Sequence, residues 1–289
     1  MNSNTQSVAP AAYISWEQAV TWLREQADQQ ALVRDCYYDD PLEASAERFS
    51  RTEEARELMK LVGGRCQGEI LDLGAGRGIA SYAFAKMGGR VTALEPDPSP
   101  LVGAAAIERL AAASQLPIQV VREFGERLPF SDASFDVVYA RAVLHHARNL
   151  SQLCCEAARV LRPGGMFIAT REHVLSTRED LAQFLNEHAL HRLYGGENAY
   201  LLSDYIGAIA GAGLRLKSAL GPFDSVINYF PMKAAEFQRI VETRLRRKLP
   251  AIIAHRLAAL RAVQRLVGGI LSRRSNAPGR LYSFVAIKS

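Results

Sequence analysis

Glu69-Ile70-Leu71-Asp72-Leu73-Gly74-Ala75-Gly76-Arg77-Gly78 decides the fold of this 289-residue chain. A short apolar run ends in a glycine-rich turn, and Ile79–Met87 continues with helical spacing. Glycines at such a turn let a backbone approach a ligand at the carboxyl end of a first strand. A dinucleotide fingerprint would need glycine at position 79, where this chain has Ile79. Further apolar runs follow at Arg90–Glu95, Pro117–Arg122, Phe135–Ala140 and Gly165–Thr170. Helical stretches separate most of them, at Pro100–Ser114 and Leu150–Leu161. Strands buried on both faces and alternating with helices predict a doubly wound parallel sheet.

Working outward, Glu95 ends the second strand, twenty-one residues after Gly74, with Pro96 behind it. An acid there can accept both hydroxyls of an adenosine ribose; the alternative is a solvated loop carboxylate. Three segments then carry a resemblance: Leu128-Pro129-Phe130-Ser131-Asp132-Ala133-Ser134-Phe135-Asp136-Val137-Val138, then Leu144-His145-His146, then Arg159-Val160-Leu161-Arg162-Pro163-Gly164-Gly165. Over about residues 65–175 the chain resembles the class I S-adenosylmethionine-dependent methyltransferases, type-11 group, which includes quinone-biosynthesis C-methyltransferases. The resemblance implies a Rossmann-like, doubly wound, seven-stranded sheet whose last strand is antiparallel, matching the apolar run Leu281–Lys288. It implies S-adenosylmethionine as cofactor and S-adenosylhomocysteine as product. Asp72, Gly74, Ala75, Gly76 and Gly78 would then lie along the methionine part, and Glu95 and Pro96 at the ribose. The family often has Asp-Ala where this chain reads Phe124-Gly125, so adenine would rest on the Phe124 ring and backbone groups of Gly125 and Glu126. Arg141, just after strand four, completes the cofactor set.

Methyl transfer from a sulfonium draws mostly on alignment, and a general base is needed only for a protonated acceptor. Candidate bases lie beyond strands four and five: His145, His146 and His173, with Arg171 and Glu172 beside the last. The alternative is a set of hydrogen bonds ordering the helix start and the following loop. Tyr194, Asn198 and Tyr200 flank Gly195-Gly196 and suit a wall for a hydroxylated substrate, or form an ordinary polar loop. His188 and His191 share a helix face, with a third ligand available from His173, Glu172 or Glu197, but no known zinc spacing occurs and no metal is expected.

Charge divides the chain. Lys233–Arg274 holds eleven Lys/Arg against Glu236 and Glu242, a charge of +9, leaving −4 elsewhere in a +5 molecule. Read as one helix, Ile252, Ile253, Leu257, Leu260, Val263, Val267 and Ile270 share an apolar arc with Arg256 near its middle. Arg256 would bind an anionic substrate or extend its head to the edge. The stretch would cap the site, lie on an anionic membrane, or present a solvated basic face.

Residues 1–64 are expected to be a disordered tail (1–12) and a helical cap, with helices at Trp16–Gln30 and Leu42–Leu61. Residues 65–289 would form the methyltransferase domain, with a basic helical insertion at about 231–275. Helices at Arg178–Leu193 and Leu201–Ala212 and strands at Leu214–Ala219 and Ser225–Phe230 complete the reading. The 48% apolar composition excludes a disordered or collagen-like chain. No window of about eighteen uncharged apolar residues occurs. Four cysteines, none in C-x-x-C spacing, and a start without a basic, apolar leader suit a reducing cytoplasm, with peripheral contact at the inner membrane face through the basic helix.

The expected function is methylation of a small or medium hydroxylated metabolite, at oxygen, on a saccharide or its nucleotide- or lipid-linked precursor. The alternatives are C-methylation of a quinone-like aromatic at a membrane, and a non-catalytic cofactor-binding subunit. A nucleic-acid partner is not expected, because Ala140-Arg141-Ala142 stands where amine-methylating DNA enzymes carry a Pro-Pro-aromatic motif. The sequence carries no signal for oligomeric state.

Overall fold

A computed structural model describes residues 13–188 and 190–289; the tail assigned to 1–12 lies outside them. Ser15 opens α1 (Trp16–Glu25) with a capping box, its hydroxyl and the Gln18 side chain bonding each other's backbone N–H. The helix expected to reach Gln30 ends there, and a 3-10 turn, Ala27–Gln29, leads into α2 (Gln30–Asp35). Likewise 42–61 divides into α3 (Leu42–Ser50) and α4 (Glu53–Val62), because Thr52 starts a new helix by accepting from Ala55 N at 3.0 Å.

The sheet follows: β1 (Glu69–Leu73), α5 (Ile79–Lys86), β2 (Arg90–Leu94), α6 (Ala104–Ser114), β3 (Ile118–Val121), β4 (Phe135–Arg141), α7 (Leu150–Val160) and β5 (Leu161–Leu175). Then come α8 (Asp180–Glu187), α9 (His191–Tyr194), a two-residue β6 (Tyr200–Leu201), α10 (Leu202–Gly211), β7 (Leu214–Leu220) and α11 (Val226–Tyr229). The chain closes with α12 (Ala234–Leu245), α13 (Ala251–Ala258), α14 (Arg261–Arg274) and β8 (Arg280–Lys288). Strand order is β3-β2-β1-β4-β5-β8-β7, with β6 added beside β5. β8 runs antiparallel to both neighbours, while the β1–β2, β1–β4, β2–β3 and β4–β5 pairs are parallel. This is the Rossmann-like sheet with an antiparallel last strand.

Three corrections concern the second half. The helix expected at Arg178–Leu193 is two, α8 and α9, since α8 ends at an extended His188. Ser225–Phe230 is not a strand: Ser225 accepts from Ile227 N at 3.2 Å and caps the single turn α11. The basic stretch is three helices rather than one, breaking at Pro250 and again at Leu260, so no continuous apolar arc exists. Ile252, Ile253, Leu260, Leu266 and Ile270 instead remain exposed.

One apolar core lies where α7 and α10 cover the sheet, another where α3, α4 and α5 cover the opposite face. A third, smaller cluster joins Ala19, Val20 and Leu23 of α1 to Val102 and Leu190. It seats the N-terminal cap over the carboxyl ends of the strands, where the next section finds a cavity.

Candidate active site

β1 ends at the turn whose backbone makes the floor of a cavity of about 900 Å³. Gly74 (φ +64°) and Gly78 (φ +80°) are left-handed, a region costly for side-chain-bearing residues. A Cβ at Gly74 would also stand 2.7 Å from a Val143 methyl, so the turn passes close to the segment that follows β4. Gly78 lies off the cavity and starts α5 against Ile107. Asp72 is buried, and Ser81 Oγ donates to it at 2.5 Å. Burial dominates its titration and pushes the carboxyl up to about 6, against the pull of that bond.

Glu95 follows β2. One carboxylate oxygen accepts from Gly76 N (2.7 Å), the other from Asp97 N (3.0 Å). Burial raises its pKa to about 7 despite those two bonds. Pro96, Gly125, Glu126 and Phe124 continue the wall. The Phe124 ring is 59% exposed, with Arg148 over one face at 5.9 Å. Arg77 ties the floor to the cap, donating to Tyr37 O, Asp39 O and Asp40 Oδ1.

Arg141 reaches the wall but is committed to Glu54 of α4, through Nε (2.8 Å) and Nη2 (3.2 Å). That pair ties the end of β4 to the cap, and Arg141 still lines the cavity at the place expected of a cofactor contact. Arg171 lines the cavity with φ +60° and gives Nη1 to Ile227 O and Phe230 O. Among the described residues no carboxylate lies within 4 Å of it.

At the far end of the cavity stand His145, His146 and His173. Carboxylate and carbonyl oxygens only accept, so each Nδ1 must carry a proton: His145 donates to Glu172 (2.7 Å), His146 to Gly196 O (2.9 Å) and His173 to Gly279 O (2.8 Å). All three Nε2 atoms are left toward Glu197 or the cavity. Burial works against charge on His145, but Glu172 and Glu197 outweigh it and raise its pKa to about 9. The raised pKa favours a second proton on Nε2, which would have to leave before His145 could act as the expected base. Burial, with His145 adding repulsion, lowers His146 and takes His173 down to about 4. Both are neutral.

Other expected substrate residues move. Glu172 is fully buried behind His145 and also accepts from Val143 N and His145 N, so it positions the loop. Tyr200 donates to Ala147 O at 2.8 Å, and neither it nor Asn198 lines the cavity. Tyr194 does, with its hydroxyl given to Glu197. Arg256 sits exposed on α13, away from the cavity, because that helix buries Ala254 and Ala258 and Arg256 lies two residues from each, on the opposite face. Sequence reasoning offered Glu197 only as a spare metal ligand, whereas the Gly195-Gly196 turn brings it to the centre of the histidines.

Residues 71–169 match the family described as Methyltransferase domain. The chain carries a class I, S-adenosylmethionine-dependent methyltransferase domain. The methyltransferase domain is similar to demethylmenaquinone methyltransferase of Tropheryma whipplei, 34% identical over 113 residues, 39% of this chain and 45% of that one. Ubiquinone biosynthesis O-methyltransferase of Agrobacterium fabrum is 32% identical over 155 residues, covering 53% and 58%. The chain thus spans less than two thirds of the curated relatives it matches. In fold it is similar to geranyl diphosphate C-methyltransferase of Streptomyces coelicolor A3(2), at TM-score 0.58, 15% identity, and coverage of 96% and 100%. The matched residues run from within β1 to within β5 and include the glycine turn; the cap, Arg171, Glu172, His173, Glu197 and the basic helices lie outside them.

Proposed function

We propose that the whole chain moves a methyl group from S-adenosylmethionine to a hydroxyl of a small or medium metabolite bearing an anionic group. A saccharide or its nucleotide- or lipid-linked precursor fits. The carrying observation is one continuous cavity, running from the glycine turn and Glu95 to neutral imidazoles and the unneutralised Arg171. The turn's backbone faces open space at Gly76, and the buried Glu95 carboxylate fits ribose hydroxyls, so the residues suit this cofactor. When bound, it supplies a methyl group already activated on sulfur. Glu95 would accept the ribose hydroxyls, Phe124 would cover the adenine, and Arg171 would hold the acceptor's anion. Transfer to a hydroxyl forms an O–C bond, leaves the S–C pair on sulfur and releases the hydroxyl proton. His146, fixed by Gly196 and free at Nε2, is placed to take that proton.

A second reading, C-methylation of a quinone-like aromatic at a membrane, draws on the exposed Ile252, Ile253, Leu260, Leu266 and Ile270 among the arginines of α13 and α14. Among the described residues no helix is long and apolar enough to cross a membrane. We expect co-sedimentation with anionic vesicles that weakens in high salt and is lost in Ile252→Asp/Leu266→Asp. Equal sedimentation of the variant would remove these helices as the contact.

Incubation with methyl-tritiated S-adenosylmethionine and unlabelled lysate of the source cell tests the acceptor. Label in polysaccharide, lipid-linked sugar or small polar metabolites is the expected result. Label in quinone-like lipids supports the second reading, and label in nucleic acid overturns both. Cofactor binding without any label points instead to a non-catalytic subunit.

A further inference from the structure

Three imidazoles surround one carboxylate without hydrogen bonding to it. Nε2 of His145 and of His146 lies 3.6 and 3.9 Å from Glu197 Oε2, and His188 Nε2 lies 3.8 Å from Oε1. Oε2 of Glu197 has no hydrogen-bond partner, although the side chain is only 5% exposed. A buried carboxylate oxygen left unpaired is costly, and carboxylates so placed pair with charges or coordinate metals. Ligands of a shared tetrahedral ion with bonds of about 2.0–2.2 Å stand roughly 3.3 Å apart. The donor atoms of His145, His173 and Glu197 all lie within 4.8 Å of one another, so closing on an ion needs side-chain shifts of about an ångström.

We infer that His145 Nε2, His173 Nε2 and the Glu197 carboxylate form a site for one divalent ion of the zinc class. The surrounding bonds are those such a site needs. Each ligand histidine has Nδ1 pinned, His145 by the Glu172 carboxylate and His173 by the Gly279 carbonyl, which turns Nε2 toward a metal; the entering cation would displace the second proton that His145 holds without it. Two imidazoles and a carboxylate leave a further position open, and all three residues line the cavity, so that position faces the acceptor. His145 follows β4, His173 belongs to β5 and Glu197 precedes β6, so the sheet itself holds the geometry. The ligands are scattered over fifty-three positions, which is why no short zinc spacing is visible and why no metal was expected from the sequence. His146 stays free as the proton acceptor. Use of the ion in transfer rests on the reading above; its binding does not.

The test uses the full chain stripped with EDTA, titrated with Zn²⁺ against a chromogenic chelator and with Co²⁺ followed by its visible absorption. One ion per chain is expected. His173→Gln and Glu197→Gln, both shape-preserving, should each weaken it by about tenfold or more, and His255→Ala on the exposed α13 should not. Circular dichroism checks that the variants are folded, and either one alone suffices for the comparison. No stoichiometric ion, or binding unchanged in the folded variants, overturns the site. Calorimetry with S-adenosylmethionine on the same samples separates the two readings: cofactor binding without an ion sinks the metal site alone. An ion without cofactor binding sinks the transfer reading alone.

Discussion

Glu54→Ala should cost the fold about 3–5 kcal/mol, the penalty for removing one member of a buried ion pair. Glu54 is 1% exposed, and its two oxygens take the Nε and Nη2 donors of Arg141. The guanidinium lies within 6 Å of the faces of Tyr37 and Phe49, between α4 and the end of β4. Deleting the carboxylate leaves a positive charge there with aromatic faces as its main company, and those are worth far less than a carboxylate. Denaturant unfolding of parent and variant measures the loss. The double variant Glu54→Leu/Arg141→Met should recover most of it, because replacing both charges by apolar groups is often neutral. A single-variant loss under about 1 kcal/mol would show that the pair does not hold cap to sheet.

Glu95→Ala should weaken S-adenosylmethionine by about 10–150-fold, the equivalent of 1.5–3 kcal/mol for hydrogen bonds to a charged acceptor. Titration calorimetry reads this directly. A pH dependence should accompany it. Burial raises the Glu95 pKa to about 7, and the ionised form is the stronger acceptor for ribose hydroxyls. Affinity in the parent should therefore rise from about pH 6 to about pH 8, and Glu95→Ala should flatten that rise. Unchanged affinity in the variant would take the ribose away from Glu95. Gly76 N and Asp97 N lose their acceptor in this variant, so thermal melting should accompany the titration.

Legibility followed locality. Ile70–Leu73, the glycine turn and Glu95 were readable because strand, turn and next strand are contiguous, and each position has a local physical requirement. Ser225–Phe230 misled because Val226, Ile227, Tyr229 and Phe230 are strand formers by composition. The serine cap and following Pro231 make a single helical turn instead. Arg256 sits outward because α13 packs on its small residues Ala254 and Ala258, a face that the larger isoleucines and leucines outweigh in any reading by hydrophobicity. The Glu54–Arg141 pair joins residues eighty-seven positions apart, and the three imidazoles meet Glu197 only through the sheet. Such meetings are properties of topology, which no local pattern encodes.

Arg77 makes the cofactor floor and the roof a single mechanical unit. It stands in the glycine turn, yet its donors hold the carbonyls of Tyr37 and Asp39 and the Asp40 carboxylate. A ligand seated on Gly74–Gly76 steadies Arg77, and part of its binding free energy then opposes local opening of residues 16–40. The roof's backbone amides become a gauge of floor occupancy. Their hydrogen exchange should slow when cofactor alone is added, before any acceptor arrives. Slowed exchange with cofactor alone would mean that any acceptor meets a roof which its predecessor has already fastened.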